Sequence, residues 1–194
     1  MAAEVTKKLF TVDEYYSMAE AGIIGPDERV ELVEGEIIQM SPIGHRHGVR
    51  VVRASTLFFR ALDKKAVIST QGTLRLNKRT EFEPDLVVYK PRADFYASGR
   101  AKPTDVLLVV EMADTSLSYD RKIKIPLYAA AGIPEVWIQD IKNDQLLVYR
   151  DPRDRNYATS LELHRNESVS AIAFPEIRFS IDDLFGGPIV EPEE

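Results

Sequence analysis

Cysteine is absent from the 194 residues, which excludes disulfides and thiolate metal sites and leaves only oxygen ligands or histidine for any metal. No apolar run approaches the ~20 residues needed to cross a bilayer, and Met1 to Phe10 carries lysines without an apolar signal core. With no membrane span and no export signal, the expected location is the cytoplasm. An excess of positive charge is also lacking, since 25 Lys and Arg against 31 Asp and Glu leave a net charge of -6. Polyanions are met by local excesses of Lys and Arg, so nucleic-acid contact would have to come from a patch and not from the whole surface.

What is present is ordinary for a globular protein. Hydrophobic residues make up 44% and charged residues 29%, which excludes wholesale disorder or a collagen-like chain. The length predicts one domain, with a core from about residue 11 to 185, a tail over 186–194, and no internal repeat or linker.

Along the chain, Thr11 followed three residues later by Glu14 predicts a capped helix through Ala19. Arg29 to Met40 reads as a hairpin turning at Glu34-Gly35, with Glu31, Val33, Glu36 and Ile38 on one face. His45 to Leu62 plots as an amphipathic helix with Val51, Val52, Phe58, Phe59 and Leu62 toward the core and a stripe of Arg46, Arg50, Arg53 and Arg60 opposite. Ala66 to Leu76 is expected as one strand leading through a hairpin into the strand after Pro84, and Lys90 to Thr104 as a substrate-facing flap bearing Lys90, Arg92, Arg100 and Lys102. Ser118 to Ala131 should be a helix kinked at Pro126. Strands from Pro134 to Asp140 and Gln145 to Arg150, further short β segments and a helical turn at Ser180 to Phe185 complete the pattern. Trp137, Tyr128 and Phe58 read as core, and a sheet edge near Leu146 to Tyr149 offers a route to a homodimer.

The stretch from Pro84 to Lys124 organises the rest. Two valine- and leucine-rich runs, Asp85 to Val88 and Asp105 to Glu111, read as strands buried on both faces, each with a carboxylate at one end. Two carboxylates ~4 Å apart repel by several kcal/mol at an effective dielectric near ~20, so a site that keeps both needs a cation, a bound proton or a basic neighbour. A divalent ion meets that need, and a lysine returning on the following helix can hold a nucleophile or stabilise a phosphorus centre.

Pro84-Asp85, Glu111 closing a strand and a following lysine resemble the PD-(D/E)xK nuclease superfamily. The strings Glu31-Leu32-Val33-Glu34-Gly35-Glu36, Met40-Ser41-Pro42-Ile43-Gly44 with His47, Pro84-Asp85-Leu86, Val109-Val110-Glu111, Tyr119-Asp120-Arg121 and Lys124 to Ile138 are similar to a large bacterial family of restriction-endonuclease-like proteins. The similarity runs from about Thr11 to Tyr149. It implies a restriction endonuclease-like fold of the α/β (α+β) class, with a central mixed β-sheet flanked by helices in a single domain. It further implies a DNA endonuclease using Mg²⁺ or Mn²⁺, with Asp85 and Glu111 as metal ligands and Lys124 as the catalytic lysine.

One departure stands out. The superfamily's lysine usually lies two residues after the second acid, where this chain has Ala113; the family moves it into the next helix, where Lys124 matches. Lys122 is the alternative, but it projects ~200° away on a regular helix. The resemblance gives supporting places to Glu31, to Gln71 facing the metal, and to Asp120 orienting Lys124. His47 suits either a helix cap or a substrate phosphate, and Arg46, Arg50 and Arg53 suit the nucleic-acid backbone. The same residues also fit a catalytically weak or inactive nucleic-acid-binding or interaction protein on this fold.

Overall fold

The computed structural model describes residues 5–187. The elements in chain order are α1 (Val12–Glu20), β1 (Val30–Val33), β2 (Glu36–Gln39), α2 (His45–Leu62), β3 (Val67–Thr70), β4 (Leu74–Asn77), β5 (Thr80–Phe82), β6 (Leu86–Tyr89), β7 (Val106–Ala113), α3 (Leu117–Tyr119), a π turn (Asp120–Lys124), α4 (Ile125–Ala130), β8 (Glu135–Asp140), β9 (Gln145–Arg153), β10 (Asn156–Leu163), β11 (Ser168–Val169), β12 (Phe179–Ser180) and α5 (Ile181–Phe185). Contacts within the chain group into two compact units, one made of the segment up to Pro42 with Thr73–Glu83, the other of Ile43–Gly72 with the chain from Pro84 onward. The expected tail lies outside the described residues from 188 on.

The smaller unit holds a four-stranded sheet in the order β2-β1-β5-β4. Its hairpin turns at Glu34 and Gly35 with φ of 49° and 89°, the left-handed pair that a two-residue turn needs to match strand twist. The register pairs Glu31 with Ile38 and Val33 with Glu36, so the expected facing holds. Helix α1 begins at the expected Thr11 cap, with both halves of the capping box formed.

The larger unit is built on a mixed six-stranded sheet, β10-β9-β8-β7-β6-β3, in which only β7 and β8 run parallel. Side chains alternate across a strand. Val110 and Met112 on β7 and Trp137 on β8 therefore join Val51, Ala54 and Phe58 of α2 and Phe185 of α5 in one core cluster, while Glu111 projects to the opposite face. Trp137 and Phe58 are fully buried with ring centroids 5.7 Å apart.

Several expectations change. The single strand over Ala66 to Leu76 is two strands in different sheets, broken at Gln71, whose φ of 50° no extended ladder accommodates. In α2 the buried arc is Arg50, Val51, Ala54, Phe58 and Leu62, whereas Val52 is 68% and Phe59 52% exposed. At ~100° per residue these two lie across the helix from Ala54, so Arg50 belongs to the covered side and not to an exposed stripe. Leu146 to Tyr149 is no sheet edge, because β9 pairs with both β8 and β10. That route to a homodimer is closed.

Candidate active site

Register brings one group of residues to a single end of the larger sheet. Thr70 stands opposite Leu86, and Leu86 opposite Val110. Gln71, Asp85 and Glu111 therefore share the next row. The Gln71 N–H confirms it by donating to the Asp85 carbonyl at 3.1 Å. The parallel strand β8 ends there too, with Glu111 beside Ile138 and Ala113 beside Asp140. By contrast, the loop from Lys90 to Thr104 leaves β6 after Tyr89 and returns at Val106, residues paired at the other end of these strands. The expected flap is therefore not at the carboxylate end, and its Arg92 is engaged with Asp94 within the loop.

Asp85 is buried and anchored on both oxygens. Its Oδ2 accepts the Met112 N–H at 2.8 Å, and its Oδ1 lies 2.8 Å from His47 Nε2. This ties the start of β6 to β7 and to the first turn of α2. His47 thus reaches a site carboxylate from the helix start at which the sequence placed it.

Glu111 is 4% exposed. Its Oε1 accepts from Lys124 Nζ at 3.1 Å and from the Tyr128 hydroxyl at 2.6 Å. Burial pushes the Glu111 carboxyl up to about 8, the Lys124 ammonium pulls it back, and the nearby charges of Asp120 and Asp85 raise it further. The site is electrostatically crowded with negative charge.

Lys124 owes its position to an unusual turn. Residues Asp120–Lys124 form a π turn in which the Ile125 N–H donates to the Asp120 carbonyl. Pro126 has no N–H to continue a regular ladder, and the wider turn absorbs the defect, as π turns often do at working sites. Asp120 and Lys124 are both buried there; Asp120 accepts from Ser116 Oγ at 2.7 Å, and Lys124 Nζ sits 6.0 Å from the Tyr119 ring centre.

Of the supporting residues, Gln71 contributes its backbone, since its side chain is exposed. Glu31 belongs to the smaller unit, where it is buried and accepts the Glu83 N–H at 3.0 Å. Arg53 is exposed and donates to the Asp183 carbonyl at 2.5 Å; Arg46 is half-buried. The residue that sequence reasoning missed is Tyr128, read only as core. Its signal was its place four residues after Lys124, the spacing that brings side chains together on one helical face. Tyr128→Phe should therefore keep the fold, with a midpoint loss worth about 1–2 kcal/mol, and weaken Mn²⁺ binding ~10-fold or more, as loss of a group that holds a metal ligand does. Calorimetric titration and thermal melts of one preparation measure both.

Among the described residues no group of three or more His, Asp or Glu side chains is gathered to hold a metal ion. Two carboxylates are nevertheless a usual protein share for Mg²⁺, which keeps much of its water. Glu135 and Asp140, also buried in this unit, are engaged in scaffold. Glu135 accepts from Trp137 Nε1, Arg150 Nε and the Ile172 N–H, and Asp140 accepts from Asn143 and Gln145.

No helix among the described residues is long and apolar enough to cross a membrane. A crystal structure of a "putative nuclease belonging to DUF820" from Anabaena variabilis superposes with a TM-score of 0.69 at 18% identity, covering 91% of this chain and 97% of that one. The mixed α/β fold with its central mixed sheet flanked by helices is thus shared with that protein. Among curated proteins no match is found. A family model described as "Uma2: Putative restriction endonuclease" matches residues 12–182, from α1 into α5, and on that extent of match the chain belongs to this family.

Proposed function

We propose that this protein is a Mg²⁺-dependent DNA endonuclease, with Asp85 and Glu111 holding the ion and Lys124 acting on the reacting phosphate. The observation that carries the reading is the meeting of Glu111 with Lys124 and Tyr128 on one oxygen, beside an Asp85 that His47 and Met112 fix in place. A bound Mg²⁺ supplies positive charge against the phosphate oxygens and lowers the pKa of water. Lys124 offsets the charge that develops on phosphorus-bound oxygen, an effect that is large where water is excluded. Tyr128 and Lys124 hold Glu111 in place through its Oε1. His47 keeps the Asp85 carboxylate oriented.

The family membership supports a nuclease at this coarse level, and the family's description as a restriction endonuclease supports DNA as the substrate. Supercoiled plasmid incubated with Mg²⁺ provides the test. Wild type should convert it to nicked or linear forms, and Asp85→Asn should leave it intact. Equal conversion by both proteins would count against the assignment.

A further inference from the structure

Three arginine side chains converge on the end of α5, and only two of them have an evident reason to be there. Arg53 donates to the Asp183 carbonyl at 2.5 Å, and Arg165 Nη1 to the Gly186 carbonyl at 2.8 Å. These are ordinary partners for cations at a helix C-terminus. Arg165 is also neutralised by Asp144 at 2.7 Å. Arg50 is different. It is 4% exposed, its Nε has no hydrogen-bond partner, and among the described residues no carboxylate pairs with it. The Phe185 ring centre lies 5.6 Å from the Arg50 guanidinium carbon and 5.5 Å from that of Arg165. Asp144, the nearest acid by its influence on Arg50, is already committed to Arg165 through both Nε and Nη2.

A covered guanidinium with no carboxylate bonded to it and an unpartnered Nε is costly and asks for an explanation. Arginine's fork of donors matches phosphate oxygens. The position also fits: Arg50 follows His47 by three residues, ~4.5 Å along the helix axis, and His47 is the residue that touches Asp85. We infer that Arg50, one turn after His47 on α2, forms a seat for a phosphate group where α2 meets the end of α5. That the phosphate belongs to a nucleic-acid strand rests on the function proposed above; the seat itself does not.

The test uses metal-free full-length protein, so no outcome depends on cleavage. Thermal midpoints are compared in inorganic phosphate and in chloride at equal ionic strength, for wild type, Arg50→Met and Arg50→Lys. Affinity for a short fluorescent DNA duplex is then followed against salt. Wild type should be stabilised by phosphate. Arg50→Met should melt at the same temperature or higher without phosphate, lose the phosphate response, bind the duplex ~10-fold more weakly, and show a salt slope smaller by ~1. Arg50→Lys should recover part of each. A lost phosphate response with unchanged DNA affinity keeps the seat and assigns it to small phosphate compounds. A wild type indifferent to phosphate, or an Arg50→Met protein that melts lower yet responds to phosphate like wild type, would overturn the inference.

Discussion

Glu111→Gln should abolish Mg²⁺-dependent cleavage, by ~10³-fold or more, about 4 kcal/mol of barrier, while making the protein harder to unfold at alkaline pH. The first half follows from removing a ligand charge. The second follows from linkage. An ordinary glutamate titrates near 4.5, whereas burial holds Glu111 up to about 8 in the folded state. Between these values the folded protein binds a proton that the unfolded chain has released, so stability is highest below 4.5 and falls as pH rises toward 8. A neutral glutamine removes that dependence. The midpoint difference between variant and wild type should therefore grow in the variant's favour across this window, by up to about 1.4 kcal/mol per pH unit. Thermal melts at a series of pH values measure it; a difference constant from pH 5 to 8 would contradict the burial argument.

Lys124→Met separates two roles that the first substitution merges. Losing the ammonium should lower cleavage by ~10²–10³-fold, the usual scale for one charge-stabilising donor. Metal affinity at a pH above the Glu111 titration should stay within a few-fold of wild type or rise, because a repelling cation has gone. With its main electrostatic counterweight removed, the Glu111 carboxyl should titrate still higher. The methionine fills much of the same volume, so the helix should remain packed. Plasmid cleavage paired with Mn²⁺ titration on the same preparations distinguishes the two effects; parallel loss of both activities would make Lys124 a structural support of the metal site.

The sequence was most legible where one signal dominated. The Thr11 and Glu14 cap, the Glu34-Gly35 turn and the valine-rich strands β6 and β7 each carry a local pattern that tertiary context did not override. Asp85, Glu111 and Lys124 were singled out by their order and by resemblance, and the fold brings Asp85 and Glu111 to one row through strand pairing that no local signal encodes. Other features depended on topology. Whether the loop after Tyr89 sits near Asp85 is decided by the direction of β6. The break at Gln71 divides a run whose alternation reads through it. Arg50 was misjudged because charge is a poor guide to burial when a helix edge abuts an aromatic face. Tyr128 looked like core because it is core, 0% exposed, and its hydroxyl's bond to Glu111 is visible only in the fold.

The most direct measurement is calorimetric titration of Mn²⁺ into wild type and Glu111→Gln, in two buffers of different ionisation enthalpy at pH 7. Wild type should bind the ion and release close to one proton on doing so, since the carboxyl of Glu111 must ionise to act as a ligand, and the variant should bind at least ~10-fold more weakly with no proton release. Equal affinity in the two proteins, or binding without a proton, would mean that the ion does not sit on Glu111.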